Sequence, residues 1–110
     1  MVTSMKAILL EHDKEQQSII RNILESKGVG VVLYNNVGNV QELIENEQAD
    51  FIVADFALPC LNINGLTQDV KKYNQNFGRN VQLAITTGSV DGELTLLIKF
   101  LEIYIKSEKP

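Results

Sequence analysis

The sequence has few of the residues on which disulfide scaffolds, zinc modules and membrane spans depend. Cys60 is the only cysteine, so the chain can form neither an internal disulfide nor a paired-cysteine zinc site. Its apolar runs are only a few residues long, far short of the roughly 20 that cross a bilayer, and no basic segment followed by an apolar core opens the chain. These absences predict a soluble, cytoplasmic protein without a membrane-inserted part.

Positive charge is also scarce. The 110 residues include 10 Lys and Arg against 14 Asp and Glu, which gives a formal net charge of -4. This balance opposes attraction to phosphate backbones and anionic lipids, so we expect no direct binding to nucleic acid. The apolar share of 45% and the charged share of 22% are close to globular averages, and they predict a single folded domain over residues 1–110.

Short apolar runs predict the β-strands. Their side chains are mostly apolar or β-branched, as in strands that are covered on both faces. Four of these runs span residues 6–11, 29–34, 51–55 and 81–86. A dense apolar segment from Leu94 to Leu101 is followed by Ile103, Tyr104 and Ile105, and we expect a fifth strand there.

Helical spacing of apolar residues separates the strands. A helix is predicted over about residues 14–27, because Asp13 and Gln16 form a typical start and Gly28 supplies a stop. Two more helices are marked by apolar stripes, Val37, Val40, Leu43 and Ile44 in one and Leu66, Val70, Tyr73 and Phe77 in the other. This alternation predicts parallel βαβ units in an α/β three-layer sandwich, with a doubly wound, five-stranded sheet in the middle.

Polar side chains follow three of the predicted strands. Glu11, His12 and Asp13 come after the first strand, Asp55 closes the third, and Thr87 follows the fourth. Ligands of parallel α/β sheets bind at the carboxyl ends of the strands, near the point where the strand order reverses. We therefore expect carboxylates, an imidazole and a hydroxyl to meet at one edge of the sheet.

Two segments carry the resemblance to a known family. Residues 7–13 form an apolar strand that ends in acidic residues. Residues 49–59 form a second apolar strand, closed by Asp55, with Pro59 four positions later and Gly65 beyond it. The second of these segments is quite specific.

The carboxyl-terminal half adds two weaker motifs. Thr87 is followed by the small residue Gly88, and Lys109 precedes Pro110 at a distance of 22 positions from Thr87. In this order and spacing, the motifs from residue 6 to residue 110 resemble the receiver domain of two-component response regulators.

The resemblance implies a flavodoxin-like fold with strand order 2-1-3-4-5. It also implies a signalling module rather than an enzyme: a sensor histidine kinase or a phosphotransfer protein passes a phosphoryl group to Asp55, and the domain changes conformation toward a downstream protein partner. Thr87 and Lys109 resemble the hydroxyl and the lysine that assist this transfer. A Mg²⁺ ion, which offsets the repulsion between carboxylate and phosphoryl group, is implied at Glu11, Asp13 and Asp55.

His12 departs from the pattern of the family. It occupies a position where an acidic residue usually ligates the metal, and imidazole is a poor ligand for magnesium. The sequence leaves several roles open for His12. The residue could weaken a Mg²⁺ site in which Asp13 substitutes, have no chemical role, form a transition-metal site with Asp55, or act as a proton switch.

Further departures lie on either side of Thr87. The loop over residues 60–65 is about two residues longer than is usual in the family. Lys106 stands where an aromatic residue is common, and it is an alternative to Lys109 as the assisting lysine.

The chain reaches Pro110 without a fifth helix, so we expect a domain that ends before or without it. Uncovered apolar surface then favours a homodimer, unless these residues fill the core: Leu94, Leu97, Ile98, Phe100 and Leu101.

Two functions therefore compete. Asp55, Thr87 and Lys109 favour a receiver domain that accepts phosphate, whereas His12 and the missing aromatic residue favour a pseudo-receiver that acts as a phosphorylation-independent interaction or dimerisation module. An independent enzyme or nucleotide-binding protein is disfavoured, because the chain has no glycine-rich phosphate loop and no Ser or Cys nucleophile in a strand-to-helix turn.

Overall fold

The computed structural model describes residues 5–56, 58 and 61–86, in which strands and helices alternate. The strands are β1 (Met5–Leu10), β2 (Val29–Tyr34), β3 (Phe51–Asp55) and β4 (Gln82–Thr86). The helices are α1 (Lys14–Ser26), α2 (Val40–Glu47) and α3 (Ile63–Phe77). Among these described helices, none has the length and apolar composition needed to cross a bilayer. The predicted fifth strand lies outside the described residues.

The four strands form one parallel sheet in the order β2-β1-β3-β4. β1 pairs with β2 through Met5 opposite Val29, and with β3 through Ala7 opposite Phe51. β2 therefore lies on one side of β1, whereas β3 and then β4 lie on the other side. This arrangement confirms the predicted doubly wound parallel sheet and its flavodoxin-like order for the four described strands.

Different helices cover the two faces of the sheet. Ile20 and Leu24 of α1 pack against one face, in a buried cluster that includes Leu9. Helices α2 and α3 cover the other face, in a second buried cluster that includes Ile8 and Ile52. Because successive side chains of a strand point to opposite faces, the continuous apolar runs of β1 and β3 are buried on both sides. The predicted three-layer sandwich is confirmed.

Asp13 sets the start of α1 as the sequence predicts. Its Oδ1 atom accepts hydrogen bonds from the backbone N–H groups of Glu15 and Gln16, at 2.9 and 3.1 Å. These bonds satisfy two of the N–H groups that have no partner within the helix. At the other end of α1, Gly28 has a φ of 83°, a left-handed conformation that favours glycine.

Helix α2 begins later than the apolar stripe suggests. The Asn39 side chain accepts a hydrogen bond from the N–H of Glu42 at 3.0 Å, so the helix starts at Val40. Val37 lies before the helix and still packs against the core from the connecting segment. Its place in the apolar pattern therefore reflects burial rather than helical structure.

Asn74 fastens the end of α3 to the segment that leads into β4. Its Nδ2 atom donates to the carbonyl oxygen of Val81 at 3.0 Å, and its Oδ1 atom accepts from the Val81 N–H at 2.9 Å. Val81 is buried, so its backbone groups have limited access to water. One side chain thus satisfies both backbone groups of a core residue.

We expect Asn74→Ala to lower the free energy of unfolding by about 1–3 kcal/mol, because it leaves both buried backbone groups of Val81 without these bonds. The exposed Asn76 of the same helix supplies the control: Asn76→Ala makes the same change in helix propensity without removing these bonds. Urea unfolding of both variants measures the difference. Equal unfolding free energies would show that the Asn74 bonds contribute nothing.

Candidate functional site

The carboxyl ends of β1 and β3 meet where the strand order reverses. Glu11 directly follows β1, and Asp55 is the last residue of β3. The two strands pair up to Leu10 opposite Ala54, one position before each acid. Glu11 and Asp55 therefore lie side by side at this edge, as the sequence predicts for the ends of neighbouring parallel strands.

Glu11 and Asp55 are buried, with only 1% and 5% of their surfaces exposed. The Oε1 atom of Glu11 accepts hydrogen bonds from the backbone N–H groups of His12 and Asp13, both at 3.0 Å. Burial raises the pKa of the Glu11 carboxyl above its ordinary value. The Asp13 N–H lowers this pKa in part, and the hydrogen bond and charge repulsion with Asp55 raise it further. Two carboxyl groups in this position favour a proton or a cation between them.

His12 forms the outer side of the same site. Its Nδ1 atom lies 3.6 Å from Glu11 Oε1 and 3.8 Å from Asp55 Oδ2. The imidazole is 51% exposed, so it faces the two buried acids and also the solvent. We call Glu11, His12 and Asp55 the acid-imidazole cluster, because each offers one metal-ligating atom within 4.8 Å of the others.

Asp13 lies next to the acid-imidazole cluster and is not one of its members. Its exposed carboxylate caps α1, where the Oδ1 atom accepts hydrogen bonds from the first turn of the helix. The predicted role of Asp13 as a metal ligand remains a prediction. The placements of Thr87 and Lys109, and of the alternative Lys106, lie outside the described residues and remain predictions too.

The sequence did not predict two neighbours of the site, Gln17 and Phe56. Gln17 of α1 donates from Nε2 to the carbonyl oxygen of Glu11 at 2.6 Å, which ties the end of β1 to the helix. No motif signals this bond, because it joins residues on two elements through a side chain. Phe56 directly follows Asp55 and is 60% exposed, an aromatic ring at the rim of the site. Its signal in the sequence is a large apolar residue immediately after the acid that closes the third apolar run.

The ends of β3 and β4 are also joined at this edge. Asp55 lies opposite Thr86 in the register, and the Phe56 N–H donates to the Thr86 carbonyl oxygen at 2.7 Å. Thr86 is buried, with 7% of its surface exposed. The carboxyl end of β4 therefore lies beside Asp55.

No protein-family model and no curated protein sequence matches this chain. Solved structures do match. The receiver domain of the sensor histidine kinase PA1611 from Pseudomonas aeruginosa, with a magnesium ion coordinated in its active-site cleft, is 20% identical to this chain. That alignment covers 96% of this chain and 97% of the other, with a TM-score of 0.65.

Two further structures show the range of the similarity. The co-crystal structure of the Saccharomyces cerevisiae phosphotransfer protein Ypd1 with the receiver domain of Ssk1 contains a chain that is 16% identical. The match covers 86% of this chain and 73% of that one, with a TM-score of 0.62. The pseudo-receiver domain of the CikA protein is 13% identical, with coverage of 88% and 94% and a TM-score of 0.52. This chain thus has the flavodoxin-like fold of response regulator receiver domains.

Proposed function

We propose that this chain is a two-component receiver domain that accepts a phosphoryl group on Asp55. The donor is a sensor histidine kinase or a histidine phosphotransfer protein. The observation that carries the proposal is the position of Asp55, buried at the end of β3 beside Glu11, where the strand order reverses. The fold supports it, because the similar structures are receiver domains and one was solved with a phosphotransfer protein.

The chemistry is a transfer between two nucleophiles. A carboxylate oxygen of Asp55 forms a bond to phosphorus while the phosphorus–nitrogen bond to the donor histidine breaks, and the donor imidazole leaves with the electron pair. The N–H groups of His12 and Asp13 hold the Glu11 carboxyl group in a fixed position beside Asp55. The side chains of this edge orient the acceptor rather than turn over a substrate.

A divalent cation supplies charge compensation at this site when it is bound. The carboxylates of Glu11 and Asp55 fit a hard ion such as Mg²⁺, which prefers oxygen ligands. The third donor of the acid-imidazole cluster, the His12 nitrogen, does not fit that preference. We therefore propose that Mg²⁺ binds weakly, with Glu11 and Asp55 as its ligands and Asp13 as a further candidate.

Thr87 and Lys109 complete the proposed site. The Lys109 ammonium pairs with the acyl phosphate, and the Thr87 hydroxyl follows it by a hydrogen bond that repositions loops. The output of the domain is then a shift between two conformations that a downstream protein partner recognises. We place this signalling module in the cytoplasm and assign it no enzymatic turnover.

The second candidate function is a pseudo-receiver, a protein-interaction or homodimerisation module that works without phosphate. His12 at the outer side of the acid-imidazole cluster favours it, since an imidazole stands where an oxygen ligand would strengthen a magnesium site. The pseudo-receiver of CikA, which shares the fold, is compatible with it. The two candidates differ in a single measurable event, the modification of Asp55.

Intact-mass analysis after exposure to a small phosphodonor with Mg²⁺ tests the proposal. We expect the wild type to gain one phosphoryl group and Asp55→Asn to gain none, because an amide cannot form the acyl phosphate. Asp69→Asn is the matched control, since Asp69 is an exposed aspartate on α3 away from the site, and it should behave as the wild type. An adduct that persists in Asp55→Asn would remove Asp55 from the role, and no adduct in any variant would favour the pseudo-receiver.

A further inference from the structure

We propose that the acid-imidazole cluster is a site for a divalent transition-metal ion such as Zn²⁺, bound directly by the His12 imidazole. The ion takes one oxygen from Glu11, one from Asp55 and the Nδ1 atom of His12. The inference concerns the same site as the proposed function. It rests on that function only for its consequence, a phosphoacceptor that binds a transition-metal ion more tightly than Mg²⁺.

The chemistry of the donor set is the first argument. Imidazole nitrogen suits Zn²⁺, Ni²⁺, Cu²⁺ and Fe²⁺, whereas Mg²⁺ selects carboxylate, carbonyl and water oxygens. Carboxylate oxygen and imidazole nitrogen are both zinc donors, and three protein ligands are the number found in open zinc sites, where a fourth position is left for water or substrate. The two acids alone would suit any hard cation. With His12 they form a mixed oxygen and nitrogen ligand set that favours transition-metal ions over Mg²⁺.

The distances are the second argument. In a tetrahedral site with bonds of about 2.0–2.2 Å, neighbouring ligand atoms are about 3.3–3.6 Å apart. In an octahedral magnesium site with bonds of about 2.1 Å, neighbouring ligands are only about 3.0 Å apart. The His12 nitrogen lies 3.6 Å from Glu11 Oε1 and 3.8 Å from Asp55 Oδ2, which is closer to the tetrahedral spacing.

The surroundings of the three residues are the third argument. Glu11 is buried and its Oε1 atom is held by two backbone N–H groups, which is the outer-shell support that orients a metal ligand. The imidazole is half exposed, so an ion can enter from the solvent side. A buried pair of acids with an exposed outer ligand suits an ion that exchanges with the solvent.

The direct test is NMR of the His12 imidazole during metal titration. His12 is the only histidine of the chain, so its ring nitrogens give one unambiguous signal in protein prepared without a histidine tag. We expect Zn²⁺ to shift the Nδ1 resonance strongly, as direct ligation does, and an excess of Mg²⁺ to shift it much less. An Nδ1 resonance that does not shift in excess Zn²⁺ would overturn the inference. This test needs only the wild-type protein.

Titration calorimetry of His12→Asp tests the preference. We expect its Zn²⁺ affinity, relative to its Mg²⁺ affinity, to fall about tenfold or more, because a carboxylate replaces the nitrogen ligand and suits the hard ion better. Glu15→Gln is the control: it removes an exposed charge from the first turn of α1 without touching the cluster, and it should keep the wild-type ratio. An unchanged ratio in His12→Asp would contradict the inference.

The two proposals for this site can fail separately. An adduct on Asp55 that forms with Mg²⁺, together with a His12 imidazole that ignores Zn²⁺, would support the phosphoacceptor and overturn the transition-metal site. Zn²⁺ ligation by His12 without an adduct under any cation would support the metal site and overturn phosphoryl acceptance.

Discussion

The Asp55→Asn variant of the metal-free domain is expected to be more stable than the wild type, by about 1 kcal/mol or more. Glu11 and Asp55 are both buried at the same sheet edge, and the hydrogen bond and charge of Asp55 disfavour the charged form of Glu11. An amide removes one of the two charges and keeps the shape of the side chain. Urea unfolding at neutral pH in the presence of a chelator measures the gain.

The stability of the domain should also depend on pH because of the same two acids. Because the pKa of Glu11 is raised in the folded domain, the folded chain holds this proton more tightly than the unfolded chain does. Stability of the wild type should therefore fall as the pH rises from about 4.5, the ordinary value, through the raised pKa. The decline should be shallower in Asp55→Asn, and Asp69→Asn should follow the wild type. Parallel curves for all three proteins would show that the two acids do not interact.

Two substitutions of Glu11 should differ by about 2–4 kcal/mol in unfolding free energy. Glu11→Gln keeps an oxygen that can accept the His12 and Asp13 N–H bonds, and it removes a buried charge. Glu11→Ala leaves both N–H groups without that acceptor and opens a cavity at a position that is 1% exposed. We expect the glutamine variant to match or exceed the wild type, and the alanine variant to be strongly destabilised.

Chemical unfolding of both variants in chelator measures this difference, and calorimetry adds a second readout. Both variants should lose affinity for divalent cations, because neither keeps the Glu11 carboxylate. Equal stabilities of the two variants would show that the hydrogen bonds of Glu11 do not support the β1 edge. Unchanged cation affinity in the glutamine variant would remove Glu11 from the metal site.

The layers of the fold were predictable because the strongest signals in the sequence are local. The apolar runs of β1 and β3 are buried on both faces, and Asp13 with Gln16 marked the start of α1 correctly. Val37 was misassigned to a helix, since periodicity reports burial and does not distinguish a helix from the segment that leads into it. The fifth strand predicted near residues 103–105 remains a prediction.

The site was predictable in its position and only partly in its geometry. Strand ends place Glu11 and Asp55 at one edge, because the topology of a parallel sheet fixes where they meet. The direction of the His12 ring could not be inferred, since a residue just beyond a strand no longer follows the alternation of the strand. Asp13 satisfies two sequence patterns at once, a helix cap and a metal-binding acid. The cap is observed, and the role as a metal ligand remains a prediction.

One measurement tests the central claim, that Asp55 is the phosphoacceptor, most directly. Borohydride reduction of the phosphodonor-treated protein converts an aspartyl phosphate to homoserine, and fragmentation of the intact chain then locates the changed residue. We predict homoserine at position 55 and at no other aspartate. Homoserine at another position, such as Asp13 or Asp50, or an unmodified chain, would contradict the assignment of Asp55.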